Sequence, residues 1–204
     1  MRFRRSRSKL ATVLVIAVLT GAGWMVFKPS SKTATAPTPA SSQTTQPTST
    51  TKGADPAKLV TIGTADFKYS KPVGWAEISP KTLDSTGAAS GIGRPTEPVA
   101  TFSVKVSNAV PKDNNDLKNS TLNELKKFTN FQLVSDVDTK VDGQAGRKFT
   151  YNFSDSSGNN KTTQQMSVVP YKQKTFFLLF SSTAADYDKQ TGDFSAILSG
   201  FKFK

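Results

Sequence analysis

Apolar and polar side chains alternate along several stretches of the second half of the chain. Residues 99–106 (VATFSVKV) set Phe102, Val104 and Val106 against polar neighbours, and residues 144–153 end in alternating aromatic side chains. Alternation of this kind predicts half-buried β-strands.

Two more strands are predicted at residues 162–169 and 175–182. The short segment 170–174 between them makes the pair a hairpin. Within the second strand, residues 176–180 (FFLLF) are apolar without alternation. Such a run is typical of a strand covered on both faces, so we expect it in the middle of the sheet.

Two stretches have the spacing of amphipathic helices. One begins at residues 121–124 (TLNE), which match a capping box, and carries apolar side chains as far as Phe128. The other begins after Asp193 and ends at Gly200, where glycine can adopt the left-handed conformation. Together these elements predict an α+β domain with an antiparallel β-sheet of about six strands covered by helices.

The start of the chain has a different pattern. Residues 1–9 carry five Arg or Lys side chains and no acid, and residues 10–27 (LATVLVIAVLTGAGWMVF) carry no charge. A helix of that length spans about 27 Å, close to the hydrocarbon thickness of a bilayer. We therefore predict a single-pass transmembrane helix at 10–27, with a cytoplasmic basic tail and an extracytoplasmic remainder.

A cleaved signal peptide is the alternative for the same segment. The densest apolar core is residues 10–19, and the small residues 21–23 (GAG) offer a cleavage site. Against cleavage, the apolar run resumes at residues 24–27. We favour the uncleaved anchor, and secretion after cleavage remains the alternative.

The anchor is followed by a linker and then by one domain. Of the 28 residues in 28–55, 21 are Ser, Thr, Pro or Ala and none is a large hydrophobe, so this segment is predicted to be disordered. It is either a spacer that holds the domain away from the membrane or a plain connection. Residues 56–204 contain all four tyrosines and form one domain with a single core.

The amino-acid composition excludes several kinds of catalytic site, metal site and crosslink. The chain has no His and no Cys. A Ser-His-Asp triad, a cysteine nucleophile, a His/Cys zinc site and a disulfide framework are therefore excluded.

The net charge of +12 does not predict nucleic-acid binding. Five of these charges lie in residues 1–9 and two in residues 28–55, so only a thin surplus is spread over the domain. A stripe of Lys and Arg with interleaved aromatic side chains, which phosphate-backbone binding requires, is not visible there.

Four short motifs of the domain resemble the PsbP-like family. They are residues 67–75 (FKYSKPVGW), 141–147 (VDGQAGR), 176–180 and the ending 194–203 (FSAILSGFKF). The resemblance implies the α/β/α sandwich that this family shares with the Ran-binding Mog proteins. It also implies an exported protein that stabilises a membrane complex or another partner, and it supplies no catalytic residue.

Residues 136–143 (DVDTKVDG) contain three carboxylates and a glycine, as calcium loops do. Their spacing does not match an EF-type loop, which needs ligands at positions 1, 3, 5 and 12. Here Val137, Thr139 and Val141 alternate with polar residues. The pattern predicts a half-buried strand that ends in an Asp-Gly turn, and no metal site.

A glycine-rich segment at residues 87–94 (GAASGIGR) lacks the spacing of a phosphate-binding loop. We predict a mobile surface loop between two strands and choose it as the candidate partner-contact loop. The candidate contact residues are Gly87, Ser90, Gly91, Gly93 and Arg94.

No catalytic, cofactor-binding or metal-binding residue is identified. The expected function is therefore a non-enzymatic binding or stabilising module for a protein partner in the cell envelope or a membrane complex. The alternative is a small-molecule or lipid carrier with a pocket between sheet and helix, lined by Trp75, Phe102 and Phe128. A hydrolase that uses carboxylates is a third option, but no Asp or Glu lies in an apolar context that would raise its pKa.

Overall fold

The computed structural model describes residues 60–204 with the exception of residues 156 and 159. The predicted basic tail, transmembrane anchor and linker, and the first four residues of the predicted domain, lie outside the described residues. Within the described part, no helix is long and apolar enough to cross a bilayer.

The described residues form ten strands and three helices. The strands are β1 (Val60–Gly63), β2 (Phe67–Lys71), β3 (Ala76–Glu77), β4 (Ser90–Arg94), β5 (Ala100–Ser107), β6 (Gln132–Val141), β7 (Gln144–Ser154), β8 (Lys161–Tyr171), β9 (Lys174–Thr183) and β10 (Lys202–Phe203). The helices are α1 (Pro80–Thr86), α2 (Asn114–Leu125) and α3 (Tyr187–Ser199).

Seven strands form one antiparallel sheet in the order β3-β4-β5-β9-β8-β7-β6. β9 lies in its middle, which confirms the central strand predicted for residues 176–180. On one side of β9, Phe180 lies opposite Phe102 of β5; on the other side, Leu179 lies opposite Met166 of β8.

The remaining strands, β1, β2 and β10, form a second antiparallel sheet with β2 in the centre. Val60 of β1 lies opposite Lys71, and Phe203 of β10 lies opposite Phe67. The expected single sheet of about six strands is therefore wrong in number. Strands of two residues, such as β3 and β10, are too short to show alternation, and the sequence prediction has a loop in place of β4.

Two tight turns fix the register of the longest strands. The predicted β8–β9 hairpin is confirmed, and its turn is Lys172 and Gln173, both with positive φ. The predicted Asp-Gly turn is confirmed between β6 and β7, where Asp142 has φ 49° and Gly143 has φ 76°. Two adjacent residues with positive φ suit the right-handed twist of the strands they join.

The front face of the large sheet carries Phe102, Leu178 and Phe180 and is covered by α3 and by the small sheet. Phe194 of α3 stacks on Phe180 with ring centroids 4.6 Å apart. The small sheet and the residue before β10 add further stacked rings to the same cluster, Phe67, Tyr69 and Phe201. Burial of these large rings dominates the stability of this side of the domain.

The back face carries Phe149, Tyr151 and Leu179 and is covered by Leu117 and Leu125 of α2. Phe128, Phe131 and other side chains pack at the border of this second cluster. Helices thus cover both faces of the sheet, and the fold is α+β with antiparallel sheets, as expected.

Helix α2 begins at Asn114, about two turns before the predicted start. Its N-cap is Asp113, whose side chain accepts a hydrogen bond of 2.8 Å from the backbone N–H of Asp116. The capping box predicted at residues 121–124 is wrong, because Thr121 lies inside the helix and is buried. The first two turns have a single large apolar side chain, Leu117, so apolar spacing does not indicate them.

Helix α3 begins at Tyr187 rather than after Asp193, and it buries Phe194 and Ile197 as predicted. Gly200 follows its end with φ −86°, so the left-handed conformation predicted there is wrong. A Cβ at this position would lie 3.2 Å from Ser70 Oγ. Lack of space, and not a left-handed turn, explains the glycine.

Candidate functional site

The glycine-rich segment predicted to be a loop is mostly strand β4. Residues Ser90–Arg94 pair with β5 over their whole length, and β3 pairs with their other side. The predicted mobile loop is therefore wrong. Gly87 lies outside the strand and caps α1 in the left-handed conformation, with φ 64°.

Close packing explains one of the two glycines of β4. A Cβ on Gly91 would lie 3.0 Å from Ile78 Cδ1 and 3.2 Å from Leu83 Cδ2 of α1. Ser90 is buried on the front face, where its Oγ lies 2.8 Å from the hydroxyl of Tyr69. Since Ser90 and Gly91 are both buried, neither reaches a partner on the surface of the domain.

Of the five candidate contact residues, Gly87 is exposed, and Gly93 and Arg94 are half-buried. Arg94 Nη1 lies 3.8 Å from Asp193 Oδ2, which also accepts a hydrogen bond of 3.0 Å from Trp75 Nε1. Arg94 thus contributes to holding α3 against the sheet. A partner contact at these three positions stays a prediction.

The carrier hypothesis needs a pocket shared by Trp75, Phe102 and Phe128. The first two belong to the core of the front face, whereas Phe128 packs against the core of the back face. The sheet therefore separates them, and the three side chains do not line one pocket.

The carboxylates of the calcium-like stretch form ion pairs. Asp136 accepts a hydrogen bond from Arg147 Nε and lies 2.9 Å from Lys118 Nζ of α2. Asp138 lies 3.0 Å from Arg147 Nη1. The strand predicted here is confirmed as part of β6. Among the described residues, no group of three or more acidic side chains converges as metal ligands would.

Strand β6 lies at one end of the large sheet, with β7 as its neighbour. Six large apolar side chains are exposed among the described residues, and three of them lie on this strand: Leu133 (43%), Val134 (59%) and Val137 (44%). We call residues Gln132–Val141 the β6 edge. It combines exposed apolar side chains with the backbone groups that an edge strand leaves unpaired.

The charges on the β6 edge differ in their surroundings. Burial alone would raise the pKa of Asp136, but hydrogen bonds from Arg147 and Lys118 outweigh burial and hold that pKa below its ordinary value. The Asp138 side chain is 80% exposed, although it shares Arg147 with Asp136. Asp136 is thus a structural charge, whereas Asp138 is open to a partner.

Sequence reasoning missed this surface for a clear reason. The alternation at residues 136–141 indicates a strand, but it does not tell which of the two sides a neighbouring element covers. The sequence does contain one sign of this surface: the adjacent apolar residues Leu133 and Val134 interrupt the alternation. The structure has a β-bulge there, between Leu133 and Ser135.

Comparison with known proteins identifies the fold. No family model matches the chain, and no similar sequence is found among curated proteins. The solution structure of the cyanobacterial PsbP protein CyanoP from Synechocystis matches with a TM-score of 0.54 and 17% identity, over 74% of this chain and 96% of that one. The domain has the PsbP-like fold. This confirms the resemblance seen in the four motifs.

Two further structures match the PsbP-like domain. LpqN, a protein involved in cell envelope biogenesis of Mycobacterium tuberculosis, has a TM-score of 0.53 and 13% identity, over 72% of this chain and 91% of that one. A protein of unknown function from Pseudomonas aeruginosa has a TM-score of 0.50 and 13% identity, over 69% and 94%. At these identities the likeness concerns the fold alone.

Proposed function

We propose that this chain is a membrane-anchored extracytoplasmic protein whose PsbP-like domain binds a protein partner of the cell envelope and catalyses no reaction. The anchor is residues 10–27, and the linker of residues 28–55 gives the domain reach from the membrane surface.

The observation that carries the binding function is the β6 edge. Leu133, Val134 and Val137 expose apolar surface on the last strand of the described sheet, although burying such side chains on folding is favourable. The strand has a neighbour on one side alone within the described sheet. A partner that covers this edge removes apolar surface from water and pairs backbone groups at the same time.

The sequence of the first 55 residues supports the envelope location. Five basic residues precede an uncharged apolar segment long enough to span a bilayer. LpqN, which has the same fold, is involved in cell envelope biogenesis, and this is consistent with a location of the present chain in the envelope.

Single-cysteine variants test the location, because the chain contains no cysteine and each introduced thiol is unique. Val73→Cys places a thiol at a side chain that is 62% exposed, and Ser6→Cys places one in the basic tail. A membrane-impermeant maleimide should label Val73→Cys in intact cells. It should label Ser6→Cys only after the cells are lysed. Labelling of Ser6→Cys without lysis, or of neither variant in intact cells, would contradict the proposed topology.

The binding function is tested with the same chemistry. Benzophenone maleimide on thiols introduced at Val73, Val110, Val134 and Val137 samples four exposed positions of the domain. We expect at least one position to yield, after illumination of native membranes, the same envelope protein in repeated experiments. If all four positions yield no such protein, the binding function is wrong.

A further inference from the structure

We propose that the β6 edge accepts an extended segment of the partner protein as an additional strand of the large sheet, with a basic side chain opposite Asp138 and an acidic one opposite Lys140. This inference rests on the proposed binding function and names its surface and the chemistry of its partner.

The two ends of the large sheet differ in length. At one end, β3 has two residues, which is too short to hold a strand. At the other, β6 has ten residues, and from Ser135 to Val141 its register with β7 is continuous. Every second residue of an antiparallel edge strand points its N–H and C=O away from the sheet. Residues Ser135–Val141 therefore present a regular template for another strand.

The two sides of this template have different chemistry. Asp136 and Asp138 lie opposite Phe149 and Arg147, so they point to the back face, and Lys140 shares their side. Val137 lies opposite Lys148 and points to the front face, where its side chain is exposed. A strand added here meets charges on one side and an apolar side chain on the other.

A second copy of the chain fits this template poorly. A two-fold contact centred on Val137 pairs residues 135–139 of the template in both copies and sets Asp136 opposite Asp138 twice. Centred on Asp138, it pairs residues 135–141 and sets the two Asp138 carboxylates opposite each other. Each Lys140 then lies opposite an Asp136 that is already held by Lys118 and Arg147. Like charges directly opposite destabilise a strand pair.

The register that avoids this repulsion is short. Centred on Thr139, it sets Asp138 opposite Lys140, but it pairs residues 137–141 alone. The charges on β6 thus disfavour self-pairing, as charges on edge strands of other proteins do. A different protein with a base opposite Asp138 and an acid opposite Lys140 gains two favourable charge pairs and can still pair along the full length of the template.

Asp138 is the residue of β6 that recognises the basic side chain of the partner. Its carboxylate is 80% exposed, whereas Asp136 is held by Lys118 and Arg147 and has little surface left. A basic side chain across the new strand pair would lie directly opposite this open carboxylate.

Synthetic seven-residue peptides provide the probe, used with the full chain of residues 1–204 in detergent. The matching peptide carries Glu opposite Lys140, Lys opposite Asp138, and Val or Thr at the other positions. Its first control exchanges Lys and Glu, and its second keeps the sequence but has N-methyl groups on the amides that would pair with β6. Binding is measured as slowed amide hydrogen exchange of residues 135–141.

We expect the matching peptide to slow exchange at residues 135–141, the charge-exchanged peptide to bind about tenfold more weakly, and the N-methylated peptide to have no effect. In the double variant Asp138→Lys with Lys140→Glu, the preference between the first two peptides should reverse. Equal protection by the N-methylated peptide, or none by any peptide, overturns the proposal, and so does an unchanged preference in the double variant.

Crosslinking in native membranes separates this proposal from the function on which it rests. Thiols at Val134 and Val137 should link the envelope partner, and the equally exposed control at Val73 should not. If the partner is linked from Val73 or Val110 but not from β6, the strand pairing is wrong while the binding function stands. If β6 links to a second copy of the chain, the occupant proposed here is wrong.

Discussion

The indole Nε1 of Trp75 donates a hydrogen bond of 3.0 Å to the Asp193 carboxylate, 118 residues later in the chain. The bond connects the segment after β2 to the middle of α3, and Trp75 itself is buried in the core of the front face. It therefore ties the helix to the sheet at a point where packing and polar contact coincide.

Replacing Trp75 by Phe should lower the free energy of unfolding by more than the lost packing alone. Loss of the hydrogen bond contributes about 1 kcal/mol, and the smaller ring leaves a cavity. Denaturant unfolding followed by circular dichroism measures the change. Val73→Ala, at an exposed neighbouring position, is the control and should change the free energy by less than about 0.5 kcal/mol. An unaltered midpoint for Trp75→Phe would contradict the structural role.

Gly146→Ala should prevent stable folding. A Cβ at Gly146 on β7 would lie 2.8 Å from Val169 Cγ2 and would also press on the backbone of β8. Gly192 in α3 has no heavy atom within 4 Å of such a Cβ, so Gly192→Ala is the matched control. Because alanine favours helices, we expect the control to stabilise the domain by about 0.5–1 kcal/mol. Thermal unfolding of both variants checks the contrast, and equal melting temperatures would contradict it.

The ion pairs of Asp136 should make stability depend on pH in the acid range. Hydrogen bonds from Arg147 and Lys118 outweigh burial and lower the pKa of Asp136, so its contribution is fully present above the ordinary carboxyl value near 3.8. The contribution is lost as pH falls through the lower pKa of the folded state. Asp136→Asn should therefore flatten the acid limb of the plot of unfolding free energy against pH.

Asp138→Asn is the control for that experiment, because the Asp138 side chain is largely exposed. It should leave the acid limb close to that of the unaltered chain. Similar flattening by both variants would show that Asp136 has no special contribution.

Tyr69 should make stability fall in the alkaline range. Burial raises its pKa to about 12, against a smaller opposite effect of the hydrogen bond to Ser90. The unfolded chain loses this proton near pH 10, whereas the folded chain keeps it, so the free energy of unfolding should decline from pH 10 upward. The decline should be shallower in Tyr69→Phe. Curves of equal slope would contradict the assignment.

Alternation and turn chemistry were sufficient to predict the centre of the fold. The strands that contain Phe102, Phe149 and Phe180 and the Asp142–Gly143 turn are where the sequence places them. These features are local, because a strand of eight or more residues and a turn with two positive φ angles each leave a pattern in their own residues.

The features that sequence did not predict depend on distant contacts. The glycines of β4 are typical of a loop in sequence, whereas in the structure Leu83 and Ile78 pack on Gly91. The exposure of the β6 edge depends on which strand ends the sheet, and the alternation around Val137 does not carry that information. Tertiary arrangement, and not local propensity, decides both.

Strand β1 also determines how the domain responds to mechanical load. Any tension transmitted through the chain before residue 60 acts first on Val60, at the open end of its pairing with β2. β1 contributes largely exposed side chains, so its four pairs can separate in succession while β2 stays held by β10. The released strand would add about 13 Å of extended chain at ~3.3 Å per residue, and of its four side chains Ile62 alone packs against the front-face core.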